Sequence, residues 1–334
     1  MAGLRDVAQR AGVSVATASR VASGADGVRP ETRARVERAM RELLYVSPSR
    51  RPATGMIGLL IPELTNPIFP ALAQAMETRA AAAGLASILC NTAGSADREG
   101  EYVHMLLKRE VDGMIFISCE MTDLRGHHGH YARLLEEGAR LVFVNGAIDA
   151  LGVPSVGVDA REAGVLATRH LIELGHQRIG LVAGPPHFMP TREQAAGHRS
   201  ALQAAGLAPD ELVSHDHEFS LDGGARGIAR LLDADGPSPT GVICSNDLMA
   251  VGVLHELATR GLQVPADMSV VGFDGIELAS WTHPPLTTME QPIEDIASTA
   301  VEALRTLIDQ PRRGLPRSSF RARLRVGDST APPG

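Results

Sequence analysis

The chain has 334 residues, of which 44% are hydrophobic and 21% are charged, and its formal net charge is −7. This length predicts two or three folded units, and the composition is typical of a water-soluble globular protein. The sequence contains no apolar run of about 20 residues, which excludes a membrane-spanning helix. The first residues lack the apolar core of a signal peptide, so we expect a cytoplasmic protein.

The charges are divided unevenly along the chain. Residues 1–51 hold ten arginines and five acidic residues, a balance of +5, whereas the remainder holds 22 basic and 34 acidic residues, a balance of −12. Side chains that bind phosphate are thus concentrated in the first segment, as nucleic-acid recognition requires. The alternative is a basic segment that is only a solvated surface.

Two short helices are predicted near the start of the chain. The first spans 5–11, Gly12 makes the turn, and Ser14 is an N-cap for the second helix. Ala18 and Val21 lie three residues apart and face inward in the second helix. The side chains that point outward are Val15, Ala16, Ser19 and Arg20. This pattern predicts a helix-turn-helix unit that fits a major groove, with a plain helical hairpin as the alternative.

A third helix is predicted to begin at Pro30, with Glu31 in its first turn. Its apolar residues recur at helical spacing, namely Val36, Ala39, Met40 and Leu43. The three helices form a predicted domain over 1–46. Residues 47–55, with two prolines and the pair Arg50 and Arg51, are predicted to be an extended linker.

Strands and helices then alternate. The first set has strands at 56–61, 85–90, 111–117 and 141–144 and helices at 67–83, 97–109 and 131–137. The second set begins at Ser155, with helices at 160–174, 192–205, 223–232 and 247–260 and strands at 178–182, 212–215, 241–244 and 269–273. A helix at 293–308 and a strand at 319–326 complete the chain. The pattern predicts an α/β fold of two lobes, each a parallel sheet with helices on both faces.

Polar side chains follow several of these strands. Ligands of open parallel sheets bind beyond the carboxyl ends of the strands, so two facing lobes would gather these groups in a cleft. The polar residues are Asn66, Asn145, Asn246, Asp247 and Asp274. Their paired donors and acceptors match vicinal hydroxyls, and Phe219 offers an apolar face for a sugar ring. Helix capping is the alternative for Asn66 and Asn246, and it is compatible with ligand contact.

Other candidate features point to structural roles. Cys90, Cys119 and Cys244 are expected to be buried free thiols. The histidines at 127, 128 and 130 are predicted to lie in a solvated loop rather than a metal site, and His176 is expected to make a turn contact. Trp281 is expected either to close part of the pocket or to pack between the lobes.

The chain lacks a nucleophile elbow, a P-loop and a dinucleotide-binding glycine fingerprint, so an enzyme is not expected. No cofactor and no metal ion are expected either. A solute-binding transport component with the same kind of core is the alternative to a DNA-binding protein. The basic segment at 1–51 argues against that alternative.

Ordered motifs over nearly the whole chain resemble the lactose-repressor/galactose-repressor (LacI/GalR) family of bacterial transcription regulators. Those of the first domain are Asp6-Val7-Ala8, Ala11-Gly12-Val13-Ser14 and Thr17-x-Ser19-Arg20-Val21. Those of the core include Asn66-Pro67, Gly175-His176-x-Arg178-Ile179-Gly180, Ser245-Asn246-Asp247-x-Met249-Ala250, Val271-Gly272-Phe273-Asp274 and Gln291-Pro292. The resemblance implies a helix-turn-helix head, a hinge and a periplasmic-binding-protein-like core whose two lobes are joined by three crossovers.

By this resemblance, Val15, Ala16 and Arg20 fall where family members read bases, and Thr17 and Ser19 fall near phosphates. Ser14 and Arg29 complete the candidate DNA-binding set in this domain. The candidate effector-binding residues that the resemblance implies are Phe69, Asn145, Phe219, Asn246, Asp274 and Gln291.

Two departures from the family pattern affect these expectations. The family's cleft arginine is replaced by Gln194, so that either Gln194 or the nearby Arg192 is the candidate for the effector contact. The hinge is several residues shorter than usual and lacks the leucine that wedges into the minor groove. We hypothesise that Arg50 and Arg51 instead lie along a narrow minor groove as an extended arm.

The predicted organisation is a DNA-binding domain at 1–46, a shortened hinge at 47–55 and an effector-binding core at 56–334. The first lobe comprises about 56–154 and 292–317, and the second about 155–291 and 318–330. The resemblance implies a homodimeric regulator, a repressor, that binds palindromic operator DNA. Its expected effector is a small polar molecule, a carbohydrate.

Overall fold

In a computed structural model of the chain, the structure describes residues 3–22, 27–43, 45, 54–208, 212–216, 218–311 and 314–334. The helices are α1 Leu4–Ala11, α2 Val15–Ala22, α3 Pro30–Glu42, α4 Ile68–Ala82, α5 Ala96–Lys108, α6 Gly129–Glu136, α7 Ala160–Glu173, α8 Met189–Ala204, α9 Leu221–Asp233, α10 Asp247–Thr259 and α11 Ile293–Asp309. The strands are β1 Met56–Ile61, β2 Ala86–Asn91, β3 Gly113–Ile117, β4 Leu141–Val144, β5 Ser155–Val158, β6 Ile179–Ala183, β7 Val213–His215, β8 Gly241–Cys244, β9 Ser269–Asp274, β10 Thr287–Glu290, β11 Ser318–Phe320 and β12 Arg323–Arg325.

The three N-terminal helices pack around one small core. Its buried residues are mostly small and all apolar, namely Val7, Ala8, Ala11, Ala18, Val21, Ala22, Val36, Ala39 and Met40. This confirms the inward faces expected from the helical spacing. Because Gly12 adopts a left-handed conformation with φ of 64°, it ends α1 and turns the chain toward α2.

The rest of the chain is organised around two six-stranded sheets. The strand order is β11-β5-β4-β3-β1-β2 in the first sheet and β12-β10-β9-β8-β6-β7 in the second. The pairs are parallel except β10 with β12. Each lobe therefore repeats the same order, and the chain crosses between lobes three times, after β5, β10 and β11. The doubly wound, two-lobed fold predicted from the sequence is confirmed.

The predicted lobe boundary at 155 is wrong. Strand β5 pairs with β4, and β11 pairs with β5, so residues 155–158 and 318–320 belong to the first lobe. The single strand expected at 319–326 is two short strands, one in each sheet. Strand β10 is absent from the sequence prediction, although it is hydrogen-bonded on both sides.

Most of the predicted linker, with Arg50 and Arg51, lies outside the described residues. The chain enters the first lobe through Thr54 and Gly55, whose N–H groups donate to the Asp112 carboxylate at 2.9 and 2.8 Å. Among the described residues, no helix combines the length and the apolar character that crossing a bilayer requires.

Candidate functional site

The second helix of the head presents an exposed face. The Ser14 hydroxyl oxygen accepts from the Thr17 N–H at 3.1 Å, which confirms Ser14 as the N-cap, and the two hydroxyls lie 2.8 Å apart. Val15 is 45% exposed. The other outward residues are also exposed, namely Ala16, Ser19 and Arg20. A small apolar group, hydroxyls and a guanidinium therefore share one surface, which suits base edges and phosphates.

Arg29 is exposed at the start of α3, where its side chain makes no capping hydrogen bond. The first helix also begins without a hydroxyl cap, because Gly3 occupies that position. Its N–H donates to the Asp6 carboxylate at 2.7 Å. This interaction supports the first turn of the helix in place of a serine or threonine.

A cavity of about 1270 Å³ lies between the two lobes, at the carboxyl ends of their strands. Seven of the eight predicted effector-binding residues line it, namely Phe69, Asn145, Gln194, Phe219, Asn246, Asp274 and Gln291. Asn66, from the same set of strand ends, lines it too. The expectation is wrong for Asp247, which is fully buried and accepts from the Thr288 hydroxyl and the Ile276 N–H instead of lining the cavity. The parallel-strand argument therefore located the cleft from the sequence.

Asp274 and Gln291 form the polar centre of the second lobe's side of the cleft. Asp274 Oδ1 accepts from Gln291 Nε2 at 2.7 Å. Burial raises the pKa of Asp274 well above its ordinary value. Gln291 Oε1 is buried and has no hydrogen-bond partner among the described residues. An orphaned acceptor beside a cavity is a group that a ligand can satisfy.

The strand-end residues Asn246, Asn145 and Asp274 are held at the cleft in two ways, by helix capping and by a left-handed backbone conformation. Asn246 caps α10 by accepting from the Met249 N–H at 2.8 Å, so capping and cleft lining coincide as expected. Asn145 has a φ of 60°, and Asp274 has a φ of 117°. Such left-handed conformations are strained in non-glycine residues and persist only where the surrounding structure holds them. They are common at ligand sites.

Gln194, not Arg192, lies in the cleft. Gln194 is buried, and its Nε2 donates to the Ser245 carbonyl oxygen at 3.2 Å. Arg192 is exposed and is not among the residues that line the cavity. The reason is helical geometry: α8 begins at Met189, which puts Thr191 and Gln194 on one face and turns Arg192 away.

Sequence reasoning missed two lining residues near the start of α8. Phe188 packs against Phe219 with ring centroids 5.7 Å apart, and Thr191 is almost fully buried with no partner for its hydroxyl among the described residues. Both line the cavity. The start of α8 was predicted three residues too late, at Arg192. Pro190, a residue favoured in a first helical turn, was the signal that could have found them.

The prediction of a solvated histidine loop holds for His127, which is exposed, and is wrong for His128 and His130. His130 Nε2 lies 3.3 Å from Glu99 Oε1 and 3.8 Å from Glu120 Oε2, and the Tyr131 hydroxyl donates to Glu99 at 2.5 Å. His128 Nε2 contacts the carbonyl oxygen of Glu120 at 3.2 Å. Although burial opposes it, the hydrogen bond to Glu99 raises the pKa of His130, which favours an imidazolium between the carboxylates.

The ligating atoms of Glu99, Glu120 and His130 lie within 4.8 Å of one another. Among the residues that the structure describes, these three form the group that could hold a metal ion. Both glutamates also line the cleft. The sequence did not reveal either glutamate as a partner of His130, because the three residues lie on separate elements of the fold.

The remaining predictions divide into confirmed and wrong. The three cysteines are free and buried, as expected. His176 is also structural, because its ring nitrogens contact Thr240, Ser269 and the Ala331 carbonyl at 2.9–3.0 Å. Trp281 was placed wrongly: it is 78% exposed and neither lines the cavity nor packs between the lobes.

Comparisons with known proteins agree with both halves of this architecture. Residues 3–48 match the family model of bacterial regulatory proteins, lacI family, and residues 168–330 match that of a periplasmic binding protein-like domain. An uncharacterized HTH-type transcriptional regulator in the aml 5′ region of Streptomyces limosus is 43% identical over 306 residues. That alignment covers 90% of this chain and 86% of the relative.

Two solved structures resemble the whole chain. The transcriptional regulator CelR–cellobiose complex is 30% identical with a TM-score of 0.75, covering 98% of this chain and 100% of that one. The lac repressor dimer bound to operator and the anti-inducer ONPF is 28% identical with a TM-score of 0.74, covering 99% of each chain. The resemblance found in the motifs is confirmed, and the transport alternative is not supported. The chain belongs to the lacI family of bacterial regulatory proteins and is a DNA-binding transcriptional regulator.

Proposed function

We propose that the protein is a cytoplasmic repressor that binds operator DNA as a homodimer and is controlled by a carbohydrate in the interlobe cleft. The observation that carries this proposal is the union, in one chain, of an exposed helix-turn-helix face and a polar cavity between two lobes. The activity is binding rather than catalysis, in line with the regulators to which the chain is similar.

On the DNA side, Val15 and Ala16 would contact base edges such as thymine methyls, and Arg20 would reach a further base. The hydroxyls of Thr17 and Ser19, with Ser14 and Arg29, would bind phosphates and fix the register of the helix. Arg50 and Arg51 would follow the minor groove. The +5 balance of residues 1–51 supports this assignment, because phosphate contacts dominate affinity for a duplex.

On the ligand side, carboxamides and a carboxyl group converge from both lobes. Asn66 and Asn145 come from the first lobe, and Asn246, Asp274 and Gln291 follow strands of the second lobe. Such groups bind neighbouring hydroxyls with paired donors and acceptors, and the Phe219 ring covers an apolar sugar face. The related CelR structure holds cellobiose, which supports a carbohydrate here.

The dimer proposal is supported by an exposed apolar surface at 278–281. Leu278 and Trp281 are 43% and 78% exposed, and large apolar side chains exposed together commonly mark protein interfaces. The similar lac repressor structure is a dimer on its operator. Two heads related by a twofold axis would read half-sites about one helical turn apart.

Ligand control requires that the carbohydrate bind two lobe arrangements with different affinity. Backbone contacts between the lobes supply such a difference, because Asp123 pairs with Phe188 and the Leu124 N–H donates to the His187 carbonyl oxygen at 2.9 Å. A ligand held by both lobes would change the free energy of these contacts. Operator affinity would change with it.

The DNA-binding half of the proposal is tested by measuring operator affinity. An inverted-repeat duplex is selected from a random library with the full-length protein, and its affinity is measured over a salt series. Arg20→Ala should weaken this binding about tenfold or more, because a base contact is lost. The matched control Arg305→Ala, an exposed arginine on α11, should leave the affinity unchanged. Equal affinity of both variants and the wild type would contradict the assignment of α2.

A further inference from the structure

Three side chains of the first lobe bring metal-ligating atoms together near the edge of the cleft. Glu99 lies in α5, Glu120 begins the short helical turn 120–122, and His130 lies in the first turn of α6. Their ligating atoms all lie within 4.8 Å of one another. We call these three residues the Glu-Glu-His group. It is not explained by the cleft, because His130 does not line the cavity.

The Glu-Glu-His group holds more negative than positive charge. The side chains of Glu99 and Glu120 are only 2% and 17% exposed, and that of His130 is 24% exposed. Within the part of the chain that the structure describes, neither glutamate forms an ion pair with an arginine or a lysine. Two carboxylates therefore face one imidazole, which carries at most one positive charge. Because a carboxylate removed from water needs an opposite charge, a divalent cation would balance this group better than the imidazole does.

The distances within the group fit a small tetrahedral ion. Zinc binds nitrogen and oxygen ligands at about 2.0–2.1 Å, which places neighbouring ligand atoms of a tetrahedral site about 3.3–3.4 Å apart. His130 Nε2 lies 3.3 Å from Glu99 Oε1 and 3.8 Å from Glu120 Oε2. A shift of about 0.5 Å in the Glu120 carboxylate, which is the more exposed of the two, would bring all three atoms to bonding distance.

Neighbouring groups orient Glu99 and His130. The Tyr131 hydroxyl donates to Glu99 Oε1 at 2.5 Å, and the Glu120 N–H donates to Glu99 Oε2 at 3.0 Å. The Tyr131 ring also packs against the His130 imidazole, with ring centroids 3.8 Å apart, and its other side contacts the buried ring of Phe116. Outer groups that fix ligating carboxylates in this way are typical of protein metal sites.

The types of ligand select the metal. An imidazole nitrogen favours zinc and similar transition-metal ions, whereas magnesium and calcium prefer oxygen ligands alone. One imidazole and two carboxylates occupy three positions of a tetrahedral zinc ion and leave the fourth for water. Because zinc binds the neutral imidazole, the ion would replace the proton that His130 holds between the carboxylates.

We propose that Glu99, Glu120 and His130 form a zinc site in the first lobe. Each glutamate supplies one carboxylate oxygen, His130 supplies Nε2, and water fills the fourth position. This inference goes beyond the proposed function, because it concerns an ion held by one lobe and not the effector held between two.

The site lies next to a contact between the lobes. The turn that begins at Glu120 leads into Asp123 and Leu124, whose backbones contact Phe188 and His187 of the second lobe. Zinc bound to Glu120 would therefore fix the first-lobe side of this contact.

The test is calorimetric titration of the full-length, metal-free protein, purified without a polyhistidine tag, with zinc chloride. We expect one zinc ion to bind to the group in each chain, and magnesium and calcium to bind at least about a hundredfold more weakly. Saturating zinc should also raise the melting temperature by at least about 2 °C, because the ion binds the folded chain, and a chelator should reverse this rise.

Variants then locate the ion. His130→Gln and Glu120→Gln each remove one ligand and keep a polar side chain in its place. Each should weaken zinc binding at least about tenfold and abolish the rise in melting temperature, since changes even outside the ligand set cost that much. The matched control is His127→Gln, an exposed histidine of the same loop, which should bind zinc as the wild type does. Melting temperatures of the metal-free variants show that each is folded.

The possible results separate the zinc site from the rest of the account. If zinc does not bind, or if His130→Gln and Glu120→Gln bind it as tightly as the wild type, the site is overturned. Loss of binding in His127→Gln to the same extent would place the ion elsewhere and overturn it too. Operator and carbohydrate binding by the zinc-free protein are measured separately, so the proposed function stands or fails independently of this site.

Discussion

The two lobes share one strand order but pack in different ways. In the first lobe, three fully buried rings form the centre of a core cluster. The centroid of the Phe116 ring lies 5.2 Å from that of Tyr131 and 6.0 Å from that of Phe143, and both pairs pack edge to face. In the second lobe, helix backbones approach closely through glycines. A Cβ atom at Gly252 would lie 1.9 Å from the Leu221 carbonyl oxygen, and one at Gly197 would lie 2.0 Å from that of Arg161.

This difference bears on how each lobe presents its side of the cleft. Backbone contact between α7 and α8 fixes the position of α8, which carries Gln194 and Thr191 into the cavity. In the first lobe, a side chain instead holds the cleft carboxylate of Glu99 in place. Tyr131 is part of the aromatic core, and its hydroxyl donates to Glu99. The second lobe should therefore be sensitive to added volume, and the first to removed volume.

The largest expected effect comes from removing volume in the first lobe. Phe116→Ala should lower the free energy of unfolding by about 3–5 kcal/mol, because the cavity it leaves borders Tyr131 and Phe143. Urea titration of the full chain measures the change. A loss below about 1 kcal/mol would show that the ring cluster is not the centre of this lobe.

Adding volume in the second lobe should have the next largest effect. Gly252→Ala places a methyl group against the Leu221 carbonyl oxygen, and α9 and α10 must separate to admit it. Overpacking of this kind costs about 2–3 kcal/mol, more than the gain in helix propensity returns. Differential scanning calorimetry measures the loss. An unchanged melting temperature would mean that the helices are not held by close backbone contact.

An ion pair in the second lobe should have a smaller and pH-dependent effect. Hydrogen bonds from Arg226 outweigh the burial of Asp216 and, with those from Arg230, hold the pKa of its carboxyl well below the ordinary value. A depressed carboxyl pKa stabilises the fold above the unfolded-state value near 4, and this stabilisation disappears as the pH falls through the folded-state value. Asp216→Asn should therefore cost about 2 kcal/mol at pH 7.

Urea titrations of Asp216→Asn and the wild type between pH 7 and pH 2 test the sign. The gap between their free energies of unfolding should stay constant down to about pH 5 and narrow below about pH 4. A gap that widens as the solution becomes more acidic would contradict the assigned direction.

The smallest effect should be a gain in the first lobe. Gly100 lies within α5, and a Cβ atom there would meet nothing within 4 Å. Gly100→Ala should raise the free energy of unfolding by about 0.5–1 kcal/mol, because alanine favours the helix and restricts the unfolded chain. This is the same substitution as at Gly252 with the opposite sign. A loss of stability at both sites would remove the contrast between the lobes.

Much of the fold could be predicted because its strands are apolar runs bounded by turns and its helices have clear periodicity. Strand β10 was missed because its sequence, Thr287-Thr288-Met289-Glu290, is mostly polar. It is buried between neighbouring strands, and the Thr288 hydroxyl donates to Asp247 at 2.6 Å, a contact that no local pattern reveals. The predicted lobe boundary was wrong for a related reason. Strand β5 belongs to the first lobe because it pairs with β4, and this pairing is a tertiary contact that the local sequence does not show.

The cleft could be predicted in outline but not in its second half. The end of a parallel strand predicts where Asn246 and Asp274 point, whereas the place of Thr191 depends on which residue begins α8. The partners of His130 lie 31 and 10 residues away on other elements, beyond the reach of motif spacing. Gln194 was identified through the family resemblance, and the structure then placed it in the cleft and Arg192 outside it.

The central claim is that occupancy of the cleft changes how tightly the head binds DNA. The most direct measurement is the dissociation constant of the full-length protein for its selected inverted repeat, with and without a saturating saccharide, for the wild type and Gln291→Leu. The expected result is a change of at least about fivefold in the wild type that is much reduced in the variant. The same dissociation constant with and without bound saccharide in the wild type would contradict the account.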